Sequence, residues 1–164
     1  MNSAQIHLAL THVPVILSLV GLVLLAIAMY QKNNTLIQTA FWILLIGGLI
    51  AIPVYQTGEG AEEIVERLPG VSKSIIEAHE EMGMWALVAA STAGLLAFLG
   101  LAFPIKMAIG RLMPPLVLLA TLVSAGVLVY TAHLGGQVRH TELRSGFTPA
   151  AASDSTHETR NDDN

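Results

Sequence analysis

Four long apolar segments without any acidic or basic residue dominate this chain, and no other feature limits its fold as strongly. A bilayer core about 30 Å thick is crossed by about 20 apolar residues in a helix that rises 1.5 Å per residue. Only 12% of the residues are charged, against about 25% in soluble domains. The sequence therefore predicts an all-α integral membrane four-helix bundle. The predicted spans are about 8–30, 36–55, 82–103 and 112–133.

The remaining segments complete the predicted organisation. Residues 1–144 form the transmembrane domain, and the first span is retained because a basic region of the kind that opens a signal peptide is missing. Residues 60–68 carry apolar side chains at helical spacing, which predicts a short interfacial helix. Ser74 and Glu77 have the spacing of a capping box, so the third helix begins before its apolar segment. The polar residues 145–164 predict a disordered tail.

The distribution of charge predicts the orientation in the membrane. Lys32, Lys106 and Arg111 are the only charged residues in the two short connections, and all 12 acidic residues lie elsewhere. Basic residues in short loops face the cytoplasm. We therefore expect a multi-pass protein of the bacterial inner membrane with both termini and the long connection outside, in the periplasm.

Histidine is the residue type that carries the candidate chemistry. All six histidines map to the predicted outer side, and His157 is set aside because it lies in the tail. Helical rise places His12, His79 and His133 within about one turn of the membrane boundary, with His7 and His140 further out. Such residues are commonly plain interfacial side chains. Their convergence from three spans instead predicts metal or haem ligation, or proton relay.

Haem b is the cofactor that fits this geometry best. Two imidazoles that each bind one iron at about 2 Å have backbones roughly 12–14 Å apart, the spacing of diagonal helices that pack at 8–10 Å from their neighbours. This favours His12 with His79 for the first haem, while His133 with His140 or His7 could hold a second. Arg139 is placed to meet a haem propionate. Several glycines could admit the macrocycle or serve ordinary helix packing, namely Gly47, Gly48, Gly58, Gly126, Gly135 and Gly136.

Two other metals are considered. Met82 and Met84 follow His79 closely, and thioether with imidazole suits copper(I), although the three do not share one helical face. Zinc could use His79 with Glu80 and Glu63. The absence of cysteine excludes disulfides, thiolate zinc, iron–sulfur and blue-copper sites, and covalent c-type haem.

The partners follow from the same charges. Seven acidic residues between Glu59 and Glu81 form either a solvated surface or a docking surface for a basic soluble electron carrier. A net charge of −4 without a run of basic residues excludes nucleic acid as a binding partner. The sequence thus predicts a membrane b-type cytochrome-like electron-transfer protein, a subunit of a larger redox complex rather than a stand-alone enzyme. The alternative is a non-haem membrane subunit or a copper- or zinc-binding module.

The histidine motifs also carry a resemblance. His7-x4-His12 is followed by Val13-Pro14, and His133-x-Gly-Gly-x-Val-x-His140 closes the fourth span. Together with His79, these motifs resemble a widespread, uncharacterised family of four-helix bacterial membrane domains. The chain has leucine after His7 where that family often has proline. The resemblance implies the same architecture and the same histidines, and in general arrangement the chain is similar to small membrane b-type cytochromes.

Overall fold

A computed structural model describes residues 2–67, 71–103, 106–140 and 143. The helices are α1 (Ser3–Leu10), α2 (His12–Tyr30), α3 (Asn34–Val65), α4 (Lys73–Ala102) and α5 (Ala108–Arg139). No strand occurs within these residues. Four helical stretches are long and apolar enough to cross a membrane, with α1 and α2 together forming the first. The prediction of an all-α chain with four such helices is confirmed.

The four long helices form a ring in chain order. Helix α2 packs against α3, α3 against α4, α4 against α5, and α5 closes the ring against α2. Helices α2 and α4 therefore lie on one diagonal, and α3 and α5 on the other. The short α1 packs mainly on the C-terminal half of α3, where its Ser3 and His7 meet glycines of that helix. This arrangement brings the start of the chain and the ends of α3 and α5 to one end of the bundle.

A proline separates α1 from α2. Pro14 has no N–H, so it cannot donate to the carbonyl of Leu10 as a residue four positions later normally does. Thr11 keeps helical dihedral angles (φ −52°, ψ −38°), and its N–H donates to the His7 carbonyl at 2.9 Å. The break therefore interrupts the hydrogen bonding without reversing the chain. At the other end of α2, Lys32 has a positive φ of 53° and Asn33 caps α3.

Helix α3 is longer than its predicted span. It continues without a break to Val65, so the prediction of a separate interfacial helix at 60–68 is wrong. Gly58 and Gly60 lie within the helix and do not end it. Their lack of a side chain leaves room for residues of α1 to pack there. The His7 ring lies against Gly58, and the Ser3 side chain lies against Gly60.

The other two long helices also extend past their apolar segments. Helix α4 begins at Lys73, which confirms a start before the apolar segment at 82–103. The capping box predicted between Ser74 and Glu77 is not formed, because Ser72 is the N-cap and its hydroxyl pairs with that of Ser74 at 2.9 Å. Helix α5 runs through both glycines at 135 and 136 as far as Arg139. The predicted tail, 145–164, lies outside the described residues.

Side-chain size, rather than polarity, separates the inside of the bundle from its outside. The buried positions are mostly small, and a Cβ on Gly48 would lie 2.8 Å from the Ala90 carbonyl oxygen and 3.1 Å from the Gly94 Cα. Large apolar side chains such as Trp42 and Phe98 are instead at least half exposed. Small interior residues let membrane helices approach closely, and lipid covers large outer ones. This distribution agrees with a multi-pass membrane protein.

Candidate functional site

His7 joins α1 to α3. Its Nδ1 donates to the Val54 carbonyl oxygen at 2.9 Å, and its ring is half-buried. The Thr57 hydroxyl lies beside this contact, 3.5 Å from Nδ1 and 3.0 Å from the same carbonyl oxygen. A side chain that the sequence predicts in the outer layer is therefore half-buried against α3.

His79 joins α4 to α5 in the same way. Its Nδ1 donates to the Thr131 carbonyl oxygen at 3.0 Å, and this ring too is half-buried. The Thr131 hydroxyl adds a second link between the two helices, because it lies 3.2 Å from the Met82 carbonyl oxygen and 2.9 Å from that of Val127. His7 packs against α3 and His79 against α5, and both rings lie at the same end of the bundle.

These hydrogen bonds define the tautomer of both rings. A carbonyl oxygen has no proton, so Nδ1 of His7 and of His79 must be the protonated nitrogen. In a neutral imidazole the other nitrogen, Nε2, then carries the free lone pair. Metal-ligating histidines characteristically hold their second nitrogen in such a bond to a carbonyl or carboxylate. In both rings Nε2 is thus the nitrogen that can donate its lone pair to a metal ion.

Two of the glycines make room for these rings. A Cβ at Gly135 would lie 2.9 Å from His79 Cε1, and a Cβ at Gly58 would lie 3.4 Å from His7 Cε1. The other glycines expected to admit a macrocycle have different neighbours. Gly48 meets the backbone of α4, Gly47 meets Leu17, and Gly126 is exposed with no atom within 4 Å of an added Cβ. At the level of 47 and 48 the glycines serve close helix packing.

The two halves of the chain repeat one arrangement. In the first half a histidine of α1 donates to a carbonyl of α3, and in the second a histidine of α4 donates to a carbonyl of α5. In both, a glycine four residues after that carbonyl faces the ring. Each histidine also heads a ladder of small buried residues spaced by seven. The ladders are His7-Pro14-Gly21-Ala28 and His79-Ala86-Ala93-Gly100. A spacing of seven is two helical turns, so all the members of a ladder share the inner face.

The spacing of seven between the small residues is the sequence signal that separates His7 from His12. An argument from depth along the helix alone does not use it. His12 precedes Pro14 by two residues, which places it on the opposite face of the helix, and it is exposed. The structure therefore half-buries His7 and His79 and leaves His12 exposed. Gly58, which lies against the His7 ring, could have been found because it continues the small-residue face of α3.

The remaining predicted ligands lie at the surface or outside the described part. His133 is exposed, and its Nε2 is 2.7 Å from the Gln137 side-chain nitrogen. His140 is the exposed C-cap residue of α5. The side chain of Arg139, expected to meet a haem propionate, lies outside what the structure describes. Within the described residues, His12, His79 and His133 do not form a three-ligand metal group.

The alternative metal sites do not form within the described residues. No three or more His, Asp or Glu side chains there converge on a common point, so His79, Glu80 and Glu63 do not form a zinc site. Met82 lines a groove on the outer surface between α4 and α5, and Met84 is 48% exposed. The thioethers expected for copper therefore face outward rather than toward the imidazole pair.

Comparison with protein-family models, with curated protein sequences and with solved structures finds no match to this chain.

Proposed function

We propose that the end of the bundle formed by α1, α3, α4 and α5 binds one haem b through His7 and His79, and that the protein transfers single electrons there. The observation that carries this proposal is the pair of carbonyl hydrogen bonds made by Nδ1, which leave the lone pair of Nε2 available for a metal ion on both rings. His7 replaces His12 in the proposed pair, because the His12 side chain is exposed.

The number of ligands favours haem over a bare metal ion. A porphyrin brings four nitrogen ligands of its own, so two protein imidazoles complete the coordination of its iron. Zinc in proteins takes three or four protein ligands, and the described residues offer no such group. When bound, the haem supplies a centre that gains or loses one electron. One haem is proposed, since His133 and His140 are both exposed.

The protein's own contribution is orientation. The carbonyls of Val54 and Thr131 fix the rotation of each ring and keep the proton on Nδ1. A hydrogen bond of this kind also strengthens the donor capacity of the opposite nitrogen. Because each carbonyl belongs to a long continuous helix, the two donors are held by rigid elements rather than by loops.

The partner we propose is a basic soluble electron carrier on the outer side, with the protein serving as a subunit of a larger redox complex. Six of the seven acidic residues between Glu59 and Glu81 are exposed, all on the ends of α3 and α4 near the imidazole pair or in the turn that follows α3. Negative charge on one surface speeds encounter with a positive partner and loses this effect as salt rises. The proposed location is the bacterial inner membrane.

Reduced-minus-oxidised spectra test the haem assignment. Protein purified from cells with ample haem supply should show the α-band of a low-spin b-type haem. His7→Ala and His79→Ala should each abolish the low-spin signal, whereas the matched exposed variants His12→Ala and His133→Ala should keep it. Full-length protein that folds but shows no α-band would favour the alternative, a non-haem membrane subunit in which the two imidazoles only join helices.

A further inference from the structure

Among the residues that the structure describes, three hydroxyl groups inside the bundle have no hydrogen-bond partner. The side-chain oxygens of Ser18, Thr121 and Ser124 are all fully buried and unpaired, and their residues are 6%, 0% and 1% exposed. Ser18 lies six residues into the span from His12, about 9 Å along the helix axis. All three oxygen atoms are inaccessible to solvent, so an unpaired hydroxyl here is unfavourable.

Two of these residues, Ser18 and Ser124, line the same cavity. It has a volume of about 10 Å³ and lies where all four long helices meet. Ser18 enters from α2 and Ser124 from α5, while Gly48 and Ala90 form the opposite walls from α3 and α4. Thr121, one turn away on α5, does not line it. A cavity of about this size is at the lower limit for one water molecule, which also needs at least two polar partners.

We infer that Ser18 and Ser124 bind a single water molecule that bridges α2 and α5 in the middle of the bundle. Both hydroxyls can donate or accept, so one water satisfies both at once. Helices α2 and α5 close the ring of the bundle, and the bound water links the first long helix to the last. This site is separate from the imidazole pair and does not depend on haem.

A crystal structure of the full-length protein in a lipidic mesophase, at a resolution that shows individual waters, tests the inference directly. One density peak is expected within hydrogen-bonding distance of both serine oxygens, about 2.7–3.0 Å. The peak should vanish in the double variant Ser18→Ala/Ser124→Ala. No peak in the unaltered protein would overturn the inference. A peak that disappears when sodium is replaced by choline would also overturn it, because the ligand would then be a cation.

Thermal unfolding in detergent gives a second, independent readout. If one water serves both hydroxyls, either serine-to-alanine change already disrupts the bridge, so the fall in Tm of the double variant should be smaller than the sum of the single falls. Thr121→Val is the matched control, since it removes a buried, unpaired hydroxyl that does not line the cavity. It should leave Tm unchanged or raise it, and should add independently to Ser18→Ala. Strictly additive effects of the two serines would contradict a shared ligand.

Discussion

Replacing Gly135 with alanine tests the packing of the imidazole site. The new Cβ would lie 2.9 Å from Cε1 and 3.4 Å from Nδ1 of His79, so the ring must move by several tenths of an ångström to reach ordinary contact. Its Nδ1 is already bound to the Thr131 carbonyl at 3.0 Å, and that movement strains the bond. Gly58→Ala is the matched control, because its Cβ would meet His7 no closer than 3.4 Å.

The two substitutions are expected to change the free energy of unfolding in opposite directions. Alanine is favoured over glycine in a helix interior by about 1 kcal/mol, and Gly58→Ala should keep most of this gain. At Gly135 the same gain is opposed by overpacking, about 1–3 kcal/mol, and by weakening of a hydrogen bond worth about 1 kcal/mol. Gly135→Ala should therefore lower the free energy of unfolding by about 1–3 kcal/mol.

Unfolding of both variants in the same detergent measures this difference. Nitrogen-15 NMR of the histidine rings provides the structural readout, because it reports which ring nitrogen of His79 carries the proton. We expect the Nδ1-protonated signal of His79 to be lost or broadened in Gly135→Ala and kept in Gly58→Ala. Equal stability of the two variants, with an unchanged His79 signal in both, would refute the proposed contact.

Three further predictions concern the bundle as a whole. Gly48→Val should prevent stable folding, measured as loss of monodisperse protein after extraction, because its Cβ meets the backbone of α4, which cannot move aside. Phe41→Ala should lower the free energy of unfolding by about 3 kcal/mol, since Phe41 is 1% exposed, whereas its neighbour Trp42 is 56% exposed and Trp42→Ala should cost far less. A reporter active only in the cytoplasm should work when fused at Asn34 and be silent after Arg144; the reverse would overturn the predicted orientation.

The helices were predictable because a bilayer imposes a minimum apolar length. That constraint sets their number and approximate position without any knowledge of packing. Their true ends were harder to predict, since glycine is both a common helix terminator and a residue that admits a neighbouring side chain. At Gly58 and Gly135 the second role applies. Only the partner ring, which comes from another helix, distinguishes the two roles.

The choice between His7 and His12 shows the difference between depth and direction. Depth follows from residue number alone, and it placed His12 nearer the membrane than His7. Direction depends on which face of the helix is buried, and the buried residues Pro14 and Gly21 share that face with His7. The carbonyl acceptors could not be foreseen from the sequence, because every residue has a carbonyl and only the packing selects one.

Small side chains fill most buried positions of the bundle, and large apolar side chains cover its outside. Substitutions at the two kinds of position should therefore have different effects. Outward positions such as Leu19 and Val23 are exposed, so we expect them to accept any apolar residue of similar hydropathy. Inward positions such as Ala90 and Ala97 are buried, so they accept only residues that add little volume and bring no unpaired polar group. A saturation mutagenesis profile of this chain would therefore sort by side-chain volume on one face of each helix and by hydropathy on the other.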